Sequence, residues 1–437
     1  MEVGTITVLI FTSLVAGLLT GLPLVFVLGG LAVIFNFFLL GPSSLFMASS
    51  TAYGVMNNFI LTSIPLFIFM GILLQHSGIA EALFDMIHKW IGGIKGGLAI
   101  GTIIICTFFA AMSGISGSAT VTMGIIALPA MLKHNYHKSL AVGSIAAGGA
   151  LGILIPPSVL MIVYGIFAGE SIGALFAGGV VPGLLLALMY IIYISVRSYL
   201  NPELGPAVSK ENRPSWKEKM ISLRAVIFPI ILIFLVLGVI FMGIATATEA
   251  AAIGALGALV CAALSKRLTW KIFQQSSFQA LSLSCMIIWI IIGGSCLTVT
   301  YTAIGAVDFL SQTIGALTVS KYVILIGIQL TLFFLGMLLD PGGIIMICTP
   351  VFVPVIKALG FDPVWFGVLF IVNMEMAYLT PPFGFNLFYM KSIVPPSISM
   401  FDIYKSVFPF VGIQALCLVL LILFPELVLW LPGVMIK

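Results

Sequence analysis

Charge is scarce in this sequence: Asp, Glu, Lys and Arg together make up 7% of its 437 residues, against 61% hydrophobic. A soluble domain keeps roughly 25% of its residues charged to hold its surface in water. A water-exposed globule is therefore excluded, and most of the outer surface must face a lipid bilayer. Concentrated positive charge is missing too. The net charge is +4, and the 18 basic residues are spread over short loops without a stripe or interleaved aromatics, which excludes a nucleic-acid partner. The six cysteines (Cys106, Cys261, Cys285, Cys296, Cys348, Cys417) lie in apolar stretches with neither CxxC nor Cys/His spacing, so they read as small apolar fillers. No Lys or Arg precedes Lys89, so the basic region of a cleavable leader is absent and the first apolar run reads as a retained span. Paired catalytic acids, Ser/Lys or Ser/His pairs and metal sets are also lacking at membrane depth, which argues against an intramembrane enzyme.

What is present is a succession of apolar runs. Spans are expected at 5–20, 22–40 and 59–74, followed by an amphipathic interfacial helix over 76–95. The runs 98–112 and 120–132 are short and flank the turn-rich SGISGS, which predicts a helical hairpin entering the membrane without crossing it. The run 139–167 is broken by Pro156-Pro157, and 172–196 crosses back. A hydrophilic linker over 197–224 separates the halves. Spans at 225–242, 249–264 and 281–301 follow, with the basic SKRLTWK between the last two. After an interfacial stretch through Ser320, the runs 323–339 and 344–356 flank LDPGG as a second hairpin. The run 364–389 is broken by Pro381-Pro382, and 408–431 closes the chain.

The two halves repeat. Pro156 and Pro381, Pro129 and Pro354, Gly117 and Gly342, and Tyr164 and Tyr389 are each separated by 225 positions. Internal repetition of this kind marks many secondary transporters. With the linker in the cytoplasm, every basic residue except Lys321, Lys357 and Lys437 falls on that side, as the positive-inside rule requires. The same trace puts both termini outside and makes the hairpins enter from opposite faces, so the repeat is inverted. The expected division is N-terminal scaffold spans (1–58), a first repeat (59–198), a cytoplasmic linker (199–223), scaffold spans with a basic interfacial segment (224–280) and a second, inverted repeat (281–437).

Proline has no N–H, so each pair frees carbonyls four residues earlier: Gly152 and Ile153 in the first break, Ala377 and Tyr378 in the second. Unpaired carbonyls at membrane depth cost several kcal/mol each, so a hard cation such as sodium, or water and Ser/Thr hydroxyls, must satisfy them. The hairpin turns bring Ser113, Ser116, Ser118 and Thr120 with Gly114 and Gly117, and in the second half Gly336, Asp340, Gly342 and Gly343. Helix N-termini there would offer positive dipole ends to an anion, or the serines would simply cap them. Candidate substrate contacts are Gly117, Ser118, Thr120, Gly342, Gly343 and the amide of Asn386. No buried Lys or Arg is available to clamp a carboxylate. Asp340 before Pro341 and Glu249 in ATATEAAA read as helix starts. Glu375, six residues before Pro381, either pairs structurally or carries a proton. His134 and His137 belong to a short interfacial loop.

The segments SGISGSAT, LGILIPPS, ATATEAAAIGA and EMAYLTPPFGFN together resemble the large membrane subunit of tripartite ATP-independent periplasmic (TRAP) transporters, over essentially the whole chain. The resemblance implies an all-α integral membrane protein: an inverted-repeat, elevator-type transporter with two re-entrant hairpins and two Pro-Pro-broken helices. It also implies a small four-helix membrane subunit of the Q type as a separate polypeptide, a periplasmic substrate-binding protein, and the bacterial inner membrane as location. Carried over residue by residue, one sodium site would use Ser113, Ser116, Gly152, Ile155 and Pro157. The second would use Gly336, Ala377, Thr380 and Phe383, with Ala377 where relatives often have glycine. The expected activity is sodium symport of a small organic anion, with dicarboxylates, keto acids and similar acids ahead of sialic acid. An elevator transporter working without a binding protein is the alternative; a channel fits poorly with oppositely entering hairpins.

Overall fold

The computed structural model describes residues 2–207, 214–315 and 319–435; Lys210, Arg213 and Lys437, used above to orient the chain, lie outside them. Every regular element among the described residues is helical, and seven helices are long and apolar enough to cross a membrane. Helices satisfy their own backbone groups, which is what a chain this apolar needs in lipid.

The N-terminal region holds α1 (Val3–Leu19), α2 (Leu24–Phe35) and α3 (Leu45–Met56). The first half continues with α4 (Ser63–His76), α5 (Ile79–Ile91), the hairpin α6 (Gly97–Ser113) and α7 (Ser116–Lys133), then α8 (Lys138–Ala150), α9 (Val159–Ala168) and α10 (Ile172–Leu200). Three helices connect the halves: α11 (Trp216–Ser222), α12 (Arg224–Phe241) and α13 (Ala247–Leu264). The second half is α14 (Trp270–Ala303), α15 (Ala306–Gly315), α16 (Lys321–Gly336), α17 (Pro341–Ala358), α18 (Pro363–Leu379), α19 (Phe385–Ile393) and α20 (Met400–Leu423), with α21 (Glu426–Val434) at the end. The repeat is visible in the boundaries. Going from α7 to α17, the first residue moves from 116 to 341 and the last from 133 to 358, both by 225.

Three features escape the apolar runs. Helix α3 (LFMASSTAYGVM) mixes polar and apolar residues without a long run, so hydropathy does not announce it. Helix α14 begins at Trp270, where the Thr269 hydroxyl accepts from the Ile272 N–H at 3.2 Å, and passes unbroken through residue 281. The last span starts earlier than 408, at Met400, because Ser399 and Asp402 form a capping box. Another such box, Thr246 with Glu249, starts α13 as expected.

The halves interlock. Helix α19 of the second half packs on α7, and α9 of the first half packs on α17, so each hairpin is supported by the helix after the opposite break. A second body gathers α2, α4, α13 and α14, which pack on one another. The two bodies meet where α4 touches α6 and α7, and where α14 touches α17. Small residues permit this approach. A Cβ on Gly71 of α4 would stand 2.8 Å from the Ser113 Cα at the first hairpin tip.

The amphipathic helix α5 meets the base of the first hairpin through two histidines, His88 and His134, whose ring centroids are 5.6 Å apart. Burial, and then His134, hold the His88 imidazole below its ordinary value; Asp85 opposes this and Lys89 adds to it. The unfolded chain therefore takes up this proton first. The stability tied to neutral His88 is present above about pH 6.5 and lost as pH falls below it. His88→Asn is expected to reduce the acid-side drop in melting temperature by about one or two degrees, measured by fluorescence-monitored unfolding in detergent at neutral and mildly acidic pH.

Candidate functional site

Both helix breaks fall at the Pro-Pro pairs. Helix α8 gives way to a short 3-10 turn at Leu151–Ile153, and α9 resumes behind the cap residue Ser158. The Ile153 carbonyl is not bare, as proline placement alone predicts, because the Ser158 hydroxyl donates to it at 2.5 Å. In the second break the Thr380 N–H donates to the Ala377 carbonyl at 3.2 Å, and the Thr380 hydroxyl to the Met376 carbonyl at 2.7 Å. The carbonyls of Gly152 and Tyr378 accept no hydrogen bond among the described residues. Two of the four expected free oxygens are thus free, one in each half.

The hairpin tips sit on these breaks. Helix α6 ends at Ser113, Gly114 takes a left-handed φ of +64°, and α7 starts at Ser116. A Cβ on Gly114 would stand 2.3 Å from the Pro157 carbonyl oxygen, and one on Gly152 would stand 3.0 Å from the Ser116 nitrogen. The fold therefore brings Ser113, Ser116, Gly152 and Pro157 together. Ile155 is buried in the same break, its side chain against Gly183 of α10. The Ser113 hydroxyl is fully buried and has no hydrogen-bond partner among the described residues, whereas Ser116 donates to the Asn386 side-chain carbonyl at 2.7 Å. On the second side, Gly336 opposes Ala377 so closely that an added Cβ would lie 2.4 Å from the Ala377 Cβ. Thr380 is buried beside it, and the Phe383 side chain is exposed, leaving only its backbone to face the break.

Between the two tips and α14 lies a cavity of about 150 Å³. Its lining includes the polar residues Ser116 and Asp340 with Gly342, the aromatic residues Tyr378, Phe385 and Tyr389, and the apolar Met286 and Ile290 of α14. Asp340 is the one charged side chain lining it, and it already accepts from the N–H groups of Gly342 (2.9 Å) and Gly343 (3.3 Å). Helix α7 has no such cap: Ile115 holds the cap position, and among the described residues no side chain pairs with the first-turn N–H groups, so the serines do not cap it. A wider cleft of 610 Å³, between the α9–α10 junction and the start of α13, contains no residue of either hairpin tip.

Of the expected substrate contacts, Gly342 lines the cavity. Gly117 lies one residue behind it, under the Tyr389 ring, 2.7 Å from where a Cβ would be. Ser118 turns to Gln75 of α4 and donates to its side-chain carbonyl at 2.8 Å. Thr120 is buried against Gly149, Gly343 packs on Leu24 of α2, and Asn386 is buried with its amide engaged on both sides. These four do not reach the wall. Tyr378, Phe385 and Tyr389 do; in the sequence Tyr378 stood out only through its carbonyl and Tyr389 only through the repeat spacing. Its counterpart Tyr164 instead lies in the core, donating to the Pro363 carbonyl at 2.7 Å. Glu375 is fully buried beside Gln414 of α20, away from the cavity, and neither of its oxygens makes a well-aligned hydrogen bond. His137 caps α8, accepting from the Ser139 N–H at 3.3 Å.

The sequence profile described as tripartite ATP-independent periplasmic transporter, DctM component, matches residues 11–427. The chain belongs to this family. A C4-dicarboxylate TRAP transporter large permease of Vibrio cholerae is 30% identical over 98% of this chain and 97% of its own length. An isethionate TRAP transporter permease, DctMQ, of Oleidesulfovibrio alaskensis is 31% identical over 95% of this chain and 65% of that protein. The YdaH transporter of Alcanivorax borkumensis shares the fold, with a TM-score of 0.65 at 14% identity over 90% of each chain. This TRAP large permease is thus a multi-pass membrane subunit of a secondary transporter, and its hairpins and breaks surround the cavity between the two tips.

Proposed function

We propose that this TRAP subunit imports a small organic anion across the bacterial inner membrane by sodium symport. One observation carries the reading: the buried, unpartnered Ser113 hydroxyl stands beside Ser116 and a break whose Gly152 carbonyl is also unpaired. Buried polar atoms are normally satisfied. Hydroxyl and carbonyl oxygens without a thiolate or imidazole among them suit a hard monovalent cation. Ser113, Ser116, Gly152, Ile155 and Pro157 would hold one sodium, and Gly336, Ala377, Thr380 and Phe383 a second. The anion would occupy the cavity, meeting the uncapped N-terminus of α7 and whatever positive charge the bound cations lend.

In this reading the interlocked hairpin body carries both sites and slides against α2, α4, α13 and α14 as an elevator. The Ser118–Gln75 bond and the 3.3 Å bond from the Thr298 hydroxyl to the Met346 carbonyl cross between the bodies and would have to break. A small Q-type membrane subunit would extend the fixed body, and a periplasmic binding protein would deliver the anion and do much of the selecting.

The test is uptake into proteoliposomes containing this subunit, its small partner and the binding protein. Uptake is expected to require an inward sodium gradient and to rise with an inside-negative potential, which supplies about 2.3 kcal/mol per charge per 100 mV. Equal uptake with choline in place of sodium would refute the proposal. Leaving out the binding protein separates the tripartite mechanism from independent transport.

A further inference from the structure

We propose that Asn386 is a positioning residue that ties the first cation site, in the first half of the chain, to the cavity wall contributed by the second half. This rests on the sodium reading above.

Both functions of the Asn386 amide are committed. Its carbonyl accepts from the Ser116 hydroxyl at 2.7 Å, and its NH₂ donates to the Ala146 carbonyl of α8 at 3.0 Å. A flipped amide would place NH₂ against Ser116 and oxygen against the oxygen of Ala146, losing the second bond, so the network fixes one orientation. The side chain is fully buried and lies off the cavity wall, so it holds the hairpin rather than the substrate.

The bond determines what Ser116 offers a cation. A serine hydroxyl has one proton and two lone pairs. With its proton drawn to Asn386, the lone pairs remain for the site that Ser113 and Gly152 share. A cation there polarises the O–H and strengthens its bond to Asn386, as charge-assisted bonds do. Asn386 is the second residue of α19, the helix that brings Phe385 and Tyr389 to the cavity, and the Tyr389 ring rests on Gly117 next to Ser116. Sodium at the first site thereby fixes the face that the anion meets, which gives cation-before-anion binding a structural basis.

The readout is thermal stabilisation of the detergent-purified complex of large and small subunits by sodium chloride, with choline chloride as control and no substrate present. Asn386→Leu, similar in size but without either hydrogen bond, is expected to raise the half-saturating sodium concentration about fivefold. Asn386→Asp keeps an acceptor for Ser116 and is expected to leave that concentration at or below the native value, even if the variant melts earlier without sodium. Ser116→Ala should weaken the sodium response, and adding Asn386→Leu to it should change the midpoint no further. A structural role alone would lower melting temperatures and leave the midpoints in place; that result, or additive shifts in the double variant, overturns the inference. If Asn386→Leu does not fold, a rise of several-fold in Asn386→Asp overturns it equally. An unaltered sodium response in Ser116→Ala removes the first sodium site, and this inference with it.

Discussion

Gly114→Ala is expected to reduce sodium-driven uptake at least a hundredfold while the protein still inserts and folds. Two costs fall on this position together. The residue sits at φ +64°, where an L side chain costs about 1–2 kcal/mol. Its Cβ would also stand 2.3 Å from the Pro157 carbonyl oxygen, a backbone atom that no rotamer change can move. The first cost can be borne in a loop; the second forces the hairpin tip away from the break. Ser113 and Ser116 would then part from Gly152 and Pro157, and the cavity would lose the edge formed by residues 114–116. Gly169 provides the control. It has φ +69° and no atom within 4 Å of an added Cβ, so Gly169→Ala incurs the backbone cost alone. That variant should lose about 1–2 kcal/mol of stability and keep its uptake. Initial uptake rates in proteoliposomes, normalised to reconstituted protein, separate the two variants.

Some parts of this protein are written locally in its chain and others are not. Long apolar runs and Pro-Pro pairs are one-dimensional signals, and the spans, the breaks and the repeat could be read from them. The 225-residue offset seen in the Pro, Gly and Tyr pairs recurs in the boundaries of α7 and α17, although the apolar runs 120–132 and 344–356 had placed both helix starts several residues late. Helix α3 was invisible because its polar and apolar residues alternate irregularly, and the start of α14 was hidden by its own polar first turns, WKIFQQSSFQ. The site was legible only where the backbone itself forms it. Gly114, Gly152 and Gly336 meet their neighbours through close approach, and close approach is what glycine in a turn or break announces. Side-chain direction was not legible. Ser118 and Thr120 share a hairpin turn with Ser116, yet a helix turns about 100° per residue. Ser118, two residues on, is therefore turned away and faces Gln75, whereas Thr120 keeps the face of Ser116 but lies one turn deeper, against Gly149. Proline identity predicts which carbonyls lose an N–H donor but not which hydroxyl arrives instead, and so Ile153 turned out to be satisfied by Ser158.

Ser113→Ala should change stability in opposite directions depending on sodium, and no packing role predicts that. Without sodium, the native protein holds a hydroxyl that is fully buried and unpartnered. Leaving such a group unsatisfied costs about 1–3 kcal/mol, and removing it costs only the small volume of one oxygen. The variant should therefore melt higher than the native protein in choline chloride. With sodium, the same oxygen becomes a ligand, and its loss should raise the half-saturating concentration at least tenfold, equivalent to about 1.4 kcal/mol. Because ligand stabilisation grows with the logarithm of concentration over Kd, the native curve rises earlier than that of the variant. The two curves cross as sodium increases once the affinity loss, about 1.4 kcal/mol or more, exceeds the relief of the orphan hydroxyl, taken here at its lower end of about 1 kcal/mol. Thr122, another buried and unpartnered hydroxyl on α7, distinguishes an orphan hydroxyl from a liganding one. Thr122→Val should raise the melting temperature by a similar amount at every sodium concentration, so its curve runs parallel to the native one. A parallel curve for Ser113→Ala would show that its oxygen, too, is merely tolerated, and the cation would have to be held by Ser116 and the backbone of the break.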